Sequence, residues 1–201
     1  MLKSDDDMFV NIPAIIDIVQ SNDLRRSIIG LQCSRSLAQR VGKWAVSLTE
    51  YPFDYFPAYM SGTGYLVTAD LLRPLLNASN FFPPIPIEDV YITGILGRVV
   101  GAHMVPRNGF ASWTALEPSS CDVLGGNLLT GQKVTPARQR LIWNDLTTGS
   151  RVACRRDQIH HKSFVASASV VKPFTPSVFK KPSFKFRDLG ANNYPLPVPL
   201  V

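Results

Sequence analysis

Two short acidic segments hold the residue types in this chain that are best suited to chemistry. The first is a run of three consecutive carboxylates, Asp5, Asp6 and Asp7, which is followed directly by the apolar residues MFV. Neighbouring carboxylates repel each other by about 1 kcal/mol per close pair in water, and by more when they are partly buried. A fold accommodates three of them when a bound cation offsets the repulsion, or when all three are solvated.

One interpretation of this run is a divalent metal site. Residues 7–10 are predicted to form a strand that continues past the carboxylates, and alternate residues of a strand share one face. Asp5 and Asp7 would then face one cation while Asp6 points the other way, and carboxylate oxygens suit Mg²⁺ or Mn²⁺. The other interpretation is a solvated turn, which a bare run of three aspartates forms more often. The apolar residues that follow favour the metal.

The second acidic segment, Glu88–Asp89, lies where a proline-rich loop is predicted to enter a helix. Acidic residues in a first helical turn interact favourably with the helix dipole and need no further role. Alternatively, backbone N–H groups hold one carboxylate ionised, so that it acts as a general base toward a neighbouring pocket. The residues alone leave both interpretations open.

A segment rich in aromatic residues and glycine, from Pro57 to Tyr65, is a candidate wall for such a pocket. Aromatic faces stack on the C–H surfaces of sugars, and Gly62 and Gly64 let a ligand approach the backbone. The alternative is a tight connection between strands, with the aromatic residues in the core.

The elements that must position these segments are predicted from apolar spacing and from Pro and Gly. Strands are expected at 28–33 and 43–48, and a further strand with the sequence YLVT leads into a helix that Pro74 shortens or kinks. A helix beginning near Pro13 is expected to end at 22–23. The helix after Asp89 should bury Val90, Ile95 and Val99. A last helix should begin with Thr135 as N-cap and Pro136 as its first residue.

The charge distribution divides the chain into two parts. Of its 201 residues, 45% are hydrophobic and 18% are charged, which is typical of a folded protein. Residues 1–149 carry 12 Lys/Arg and 13 Asp/Glu, and residues 150–201 carry nine and two, so the net charge of +6 is the sum of −1 and +7. We expect a folded domain at 1–149 and an extended or disordered, Pro-rich tail at 150–201. The basicity therefore does not indicate that the folded part binds nucleic acid.

Three segments in order, KSDDDMFVN, KWAVSLTEYPFDYFPAYMSGTGYLVTADLL and IEDVYITGIL, resemble the β-1,3-galactosyltransferase family, which includes β-1,3-N-acetylglucosaminyltransferases and the more distant Fringe enzymes. The resemblance covers about residues 2–146 and does not reach the tail. It implies a GT-A fold, an α/β/α three-layer sandwich with a mostly parallel sheet.

The activity implied by this resemblance is an inverting, Mn²⁺-dependent transfer in β-1,3 linkage. Galactose or N-acetylglucosamine would move from UDP-galactose or UDP-N-acetylglucosamine to a hydroxyl of an acceptor glycan on protein or lipid. Asp5, Asp6 and Asp7 would hold the metal and the donor diphosphate, with Asp7 as the direct ligand. Asp89 would be the base, with Glu88 beside it. The residues expected to line the substrate pockets are Trp44, Tyr59, Gly62, Gly64 and Tyr65.

The chain departs from the family pattern in three ways. Family members are normally Golgi membrane proteins facing the lumen, and their membrane helix and first nucleotide-binding strands precede the DDD motif. Since Met1 stands just before the motif here, we expect those strands and the membrane anchor to be missing. Gln132 occupies the place of a family histidine, and a neutral amide is a poorer ligand for a transition metal than imidazole. The tail after residue 149 matches nothing in the family.

Targeting signals and cysteines add little information about location or function. The sequence contains no run of about 18 apolar residues and no signal peptide at its N-terminus. The three cysteines Cys33, Cys121 and Cys154 leave one thiol odd under any pairing.

Three functional hypotheses follow. The first is that the chain is a hexosyltransferase of this family. The second is that it is a catalytically impaired truncated isoform or pseudoenzyme that lacks donor binding. The third is that the tail binds nucleic acid or an acidic partner through its basic residues and interleaved phenylalanines.

Overall fold

A computed structural model describes residues 1–21, 23–111, 117–126 and 128–149 of the chain. The predicted tail at 150–201 lies outside the described residues, so its extended or disordered character stays a prediction.

A four-stranded mixed sheet lies at the centre of the fold. Its strands are β1 (Leu2–Ser4), β3 (Ser27–Cys33), β4 (Tyr59–Val67) and β5 (His103–Pro106), arranged in the order β1-β4-β3-β5. Strand β4 runs antiparallel to both β1 and β3, whereas β3 and β5 are parallel. A second, two-stranded antiparallel sheet pairs β2 (Phe9–Val10) with β6 (Thr130–Gly131).

The expected α/β class is confirmed, but a mostly parallel sheet is wrong for the strands that the structure describes. The reason lies in the connection between β3 and β4. A parallel neighbour needs a crossover, usually helical, whereas an antiparallel neighbour can follow a loop. Residues 34–58, all of them described, contain no helix, and β4 returns antiparallel to β3.

Helices cover both faces of this sheet. The described helices are α1 (Ile12–Ser21), α2 (Ala69–Ser79), a π-helix (Val90–Leu96) that continues directly into α3 (Gly97–Val99), α4 (Ser120–Leu124) and α5 (Pro136–Thr148). Helix α1 packs Ile15 and Ile18 against Ile29 of β3 on one face. On the other face, α2 and the π-helix pack against a cluster that includes Ile28 and Tyr65. None of the described helices has the length and apolar character needed to cross a membrane.

Most of the predicted elements around the acidic segments are confirmed. Strand β3 coincides with the predicted run 28–33, and helix α1 contains Pro13 in its first turn. Helix α2 passes through Pro74 and continues to Ser79. Helix α5 begins as expected, because the side chain of Thr135 accepts a hydrogen bond from the backbone N–H of Arg138.

The strand predicted at 43–48 is wrong, whereas the helix predicted after Asp89 is present and buries Val90, but its type and its buried face differ in part from the expectation. The run 43–48 forms no strand: Val46 is buried with Tyr51 and Phe56 beneath an irregular loop, so its alternating pattern reflects burial alone. The segment after Asp89 forms a π-helix, in which hydrogen bonds close larger turns than in an α-helix. As a result Leu96 is buried, whereas Val99 is 48% exposed.

Candidate active site

The run of three aspartates forms a turn between β1 and β2. Strand β1 ends at Ser4, and the side chains of Asp5, Asp6 and Asp7 are all exposed. The predicted strand over 7–10 is limited to Phe9–Val10, so the argument that Asp5 and Asp7 share a strand face does not hold. A turn lets three like charges separate and remain hydrated, which reduces their repulsion.

The segment that contains Gln132 runs beside this acidic turn. The backbone N–H of Val134 donates to the carbonyl oxygen of Asp7 at 2.8 Å, beyond the pairing of β2 with β6. Gln132 itself is buried. The fold therefore brings the position of the family histidine next to the acidic turn, but the residue there carries an amide.

Asp89 is a half-buried carboxylate at the start of the π-helix. Its Oδ1 accepts a hydrogen bond from the N–H of Val90 at 2.9 Å, and its Oδ2 accepts one from the N–H of Gly62 at 2.7 Å. Burial raises the pKa of Asp89 above its ordinary value, although the two backbone hydrogen bonds act in the opposite direction. A carboxylate with a raised pKa is a stronger proton acceptor, as a general base requires.

Gly62 can reach Asp89 because strand β4 bulges there. In the register of β3 with β4, Gly30 pairs with Tyr65 and Gln32 pairs with Met60, so Leu31 stands opposite four residues of β4, 61–64. The N–H of Gly62 is thereby free to point at the carboxylate. A Cβ atom at position 62 would lie 3.0 Å from Oδ2 of Asp89, so a side chain there would make the carboxylate shift by a few tenths of an ångström.

Glu88 is exposed, but two residues on neighbouring strands hold its carboxylate. The hydroxyl of Tyr65 donates to Oε1, and the ammonium of Lys3 lies 3.3 Å from Oε2. Lys3 and Tyr65 face each other across the β1–β4 pair. Burial raises the pKa of Tyr65, so its hydroxyl keeps the proton that it donates.

Lys3 joins the two acidic segments. Its Nζ lies 2.8 Å from Oδ1 of Asp5 and also donates to the carbonyl oxygen of Gly62 at 2.5 Å. Lys3 is not among the site residues predicted from the sequence. No spacing signal pointed to it, because Asp5 lies in the turn beyond β1, and Gly62 and Glu88 are distant in sequence.

The residues predicted to line a substrate pocket are only partly brought together. Tyr65 is buried against Glu88, and Tyr59 at the start of β4 is half-buried, with burial raising its pKa to about 12. Gly64 faces Thr130, whose Cγ2 would lie 3.3 Å from a Cβ added at that glycine. Trp44 belongs to the loop 34–58 and is 55% exposed, with the ammonium of Lys43 4.4 Å from its ring centroid. Their roles in binding stay predictions.

A cavity of about 330 Å³ opens at the carboxyl ends of the parallel strands β3 and β5. Its polar lining residues are Gln32, Ser34, Arg107 and Asn108. Because β1 runs antiparallel to β4, and β4 runs antiparallel to β3, the acidic turn after β1 lies at the same end of the sheet. Ligands of open α/β sheets bind at this end of parallel strands, which makes the cavity a candidate space for substrate.

The acidic turn fits a divalent metal in its donor chemistry. Asp6 and Asp7 offer exposed carboxylates, whereas Asp5 is already paired with Lys3. In the part of the chain that the structure describes, no three His, Cys, Asp or Glu side chains come together as a metal-binding group. Mg²⁺ and similar ions are commonly held by one or two carboxylates together with substrate phosphates, and the turn can supply that number.

Comparison with known proteins identifies the family of this chain. A family model described as Galactosyltransferase matches residues 1–108, which include both acidic segments and Lys3. Beta-1,3-galactosyltransferase 1 of mouse and of human are each 28% identical to the chain over 158 residues, covering 77% of this chain and 47% of the relative. Beta-1,3-galactosyltransferase 5 of Pan troglodytes is 33% identical over 102 residues, covering 49% of this chain and 34% of the relative.

The chain thus spans about half the length of the curated relatives it matches. The family model alone covers more than half of the chain, and the resemblance inferred from the DDD, SGTGY and EDV segments is confirmed. The chain belongs to the galactosyltransferase family.

Proposed function

We propose that this chain carries the metal-binding turn and the general base of an inverting hexosyltransferase. The enzyme would move galactose or N-acetylglucosamine from a UDP-sugar to a hydroxyl of an acceptor glycan, in β-1,3 linkage. The observation that supports this most directly is the contact of Lys3 with both Asp5 and Glu88, which joins the acidic turn to the Glu88–Asp89 pair. A GT-A fold accompanies the proposal, supported by a sheet with helices on both faces.

Each acidic segment has one role in this mechanism. Asp7, with Asp6 beside it, would hold Mn²⁺, which when bound offsets the charge of the departing diphosphate. Asp89 would accept the proton of the acceptor hydroxyl as that oxygen attacks the anomeric carbon of the donor sugar. The bond from that carbon to the diphosphate oxygen breaks in the same displacement, and the configuration at the carbon inverts.

Asp89 suits the base better than Glu88 does. The pKa of Asp89 is raised by burial, and two backbone N–H groups fix both of its oxygens. The carboxylate of Glu88 is exposed and already accepts from Tyr65 while facing the ammonium of Lys3. We assign Glu88 to holding the site together.

A second candidate function is that of an impaired relative that keeps the shape and lacks donor binding. One observation favours it: Gln132 places a buried amide where the family resemblance implies a metal-binding histidine. The two candidates differ in whether Mn²⁺ and UDP bind.

The experiment that separates them measures Mn²⁺-dependent UDP binding by calorimetry, and turnover of UDP-galactose and UDP-N-acetylglucosamine. We expect Asp7→Ala to abolish both binding and turnover. Asp89→Asn should abolish turnover while leaving UDP binding intact, because the base does not touch the diphosphate. Asp23→Asn, at an exposed ion pair with Arg25, is the matched control. Absence of Mn²⁺-dependent UDP binding by the unaltered chain would favour the impaired relative.

We also propose that the protein acts in the lumen of the Golgi, as the family resemblance implies. The structure offers one supporting feature: Cys121 is disulfide-bonded, whereas Cys33 is a free thiol. Disulfides form and persist in oxidising compartments and are rare in the cytosol.

A further inference from the structure

We propose that Lys3 is a positioning residue that holds the acidic turn and the candidate base at a fixed separation. The inference deepens the proposed function and rests on it, since it assigns a task within the same site. Lys3 touches neither reacting group directly in this scheme. It acts through Asp5 on one side and through Glu88 and Gly62 on the other.

The contacts of Lys3 join three segments of the site. Its ammonium lies 2.8 Å from Oδ1 of Asp5 in the acidic turn and 3.3 Å from Oε2 of Glu88 at the start of the π-helix. Its third contact is the carbonyl oxygen of Gly62 at 2.5 Å, and the N–H of that same glycine donates to Asp89. One side chain therefore connects segments that are far apart in sequence.

The surroundings of Lys3 distinguish it from an ordinary surface ion pair. Exposed ion pairs contribute little to stability, because water and salt screen the two charges and because two long side chains must be ordered. Here the side chain of Lys3 is 27% exposed, and it lies on β1 directly opposite the buried Tyr65. Three acceptors match the three N–H groups of the ammonium, so its orientation is fixed.

A cation at this point also offsets repulsion within the site. Asp5 and Glu88 are both negative and both approach the same position in space. Without Lys3 the two carboxylates repel, so the acidic turn and the start of the π-helix would move apart. Displacements of about 1 Å at a catalytic site can lower rates by about 100-fold.

Lys3 also acts electrostatically on Asp89, which gives the test a second readout. The titratable groups that face Asp89 are Glu88 beside it, Lys3 of β1, Tyr59 and Tyr65 of β4, and Cys33 of β3. Of these, Lys3 is the one that lowers the pKa of Asp89, and Glu88 raises it. Removing the cation should therefore raise the pKa of Asp89 further.

The test compares Lys3→Met, Lys3→Arg and the control Arg25→Met in the full chain. Arg25 forms an ion pair with Asp23 in which both side chains are more than 80% exposed, so its loss removes a cation from outside the site. We measure kcat and KM for the UDP-sugar as a function of pH, and amide hydrogen exchange of the peptide that contains Gly62.

In Lys3→Met we expect kcat to fall about 10- to 100-fold, with a smaller change in KM. The acid limb of the pH profile should shift to higher pH. Hydrogen exchange at Gly62 should become faster. Lys3→Arg should recover part of kcat, and Arg25→Met should behave like the unaltered chain. A purely structural defect would lower the active fraction without moving the pH limb.

Lys3→Met with the kcat, pH profile and Gly62 exchange of the unaltered chain would overturn the proposal. If the unaltered chain turns over no UDP-sugar, the proposed function fails separately. Hydrogen exchange by itself then tests the positioning role of Lys3. Faster exchange at Gly62 in Lys3→Met, but not in Arg25→Met, supports this role. Equal exchange in the two variants overturns it.

Discussion

At the scale of residues, the site depends on two adjacent carboxylates in different environments. Asp89 is half-buried and bonded to two backbone N–H groups, whereas Glu88 is exposed and held by Tyr65 and Lys3. Two neighbouring acids in different surroundings can take different roles in one reaction. This difference supports Asp89 as the base and Glu88 as a structural partner.

The pH dependence of stability should reveal the burial of Asp89. Because its pKa is raised in the folded protein, the native state binds this proton more tightly than the unfolded chain does. Its contribution to the free energy of unfolding is fully present at pH values below the ordinary pKa of an aspartate. The contribution is lost as the pH rises through the raised pKa of Asp89. We expect Asp89→Asn to remove this loss, as measured by urea unfolding at closely spaced values between about pH 3 and pH 7.

Asp23→Asn serves as the control, since Asp23 is exposed and its pairing with Arg25 is on the surface. It should follow the unaltered chain at each pH. If the free energy of unfolding of Asp89→Asn and of the unaltered chain changed with pH in parallel, burial would not perturb the pKa of Asp89.

At the scale of elements, two irregular pieces of secondary structure fit each other. The bulge of β4 leaves the N–H of Gly62 free for Asp89, and the N–H of Met60 donates to the hydroxyl of Thr93 on the π-helix at 2.8 Å. Bulges and π-helices both occur frequently at functional sites. Each here supplies partners for the other, which fixes the base relative to the sheet.

A methyl group at position 62 should break this fit. Gly62→Ala places Cβ 3.0 Å from Oδ2 of Asp89, so we expect the carboxylate to shift and its hydrogen bond to the N–H of residue 62 to weaken. We expect the free energy of unfolding to fall by about 1–3 kcal/mol, and turnover to fall by a larger factor than this loss of folded protein explains. Chemical unfolding and steady-state kinetics measure the two effects.

Gly97→Ala is the matched control, because its Cβ would lie at the same distance, 3.0 Å, from Cδ1 of Ile28 in the core and not from the base. It should affect stability more than turnover per folded molecule. Equal turnover per folded molecule in both variants would argue against the role of Gly62.

At the scale of the whole molecule, helix α1 presents an apolar face to solvent. Ile12, Ile16 and Val19 are between 46% and 52% exposed, and their spacing places them on one side of the helix. The inner side of α1, with Ile15 and Ile18, already packs on the sheet. Contiguous exposed apolar residues promote association of protein molecules.

Charged residues on this face should keep the chain monomeric. We expect Ile16→Glu combined with Val19→Lys to reduce concentration-dependent association, measured by sedimentation velocity over a range of protein concentrations. Leu48→Lys, at a 63% exposed position outside α1, is the control and should change little. Equal association of the double variant and the unaltered chain would show that this face does not drive it.

The sequence predicted elements best where local chemistry decides them. Thr135 and Pro136 predict the start of α5, and the apolar run at 28–33 predicts β3, because capping and burial act within a few residues. The run 43–48 was misassigned, since Val46 is buried by distant aromatic residues without pairing as a strand. The antiparallel return of β4 and the π-helix depend on contacts between segments, which apolar spacing does not encode.

The candidate site shows the same contrast between local features and contacts between distant segments. Residue types and their order identified Asp5–Asp7, Glu88–Asp89 and Gly62, but their arrangement did not follow from spacing. The acidic run forms a turn, and its link to Glu88 depends on Lys3, whose task requires the pairing of β1 with β4. Contacts between residues so far apart in sequence are seen only in the folded sheet.

The short strand β1 has a consequence for how the protein unfolds. It has three residues and, among the described strands, it pairs with β4 alone. Short edge strands open with less free energy than the core does. Such partial opening would carry Lys3 and Asp5 away from Glu88 while the two helical layers stayed folded. If the chain has the proposed activity, that activity should be lost reversibly under mild stress, before the whole domain unfolds, because the candidate site includes a short edge strand.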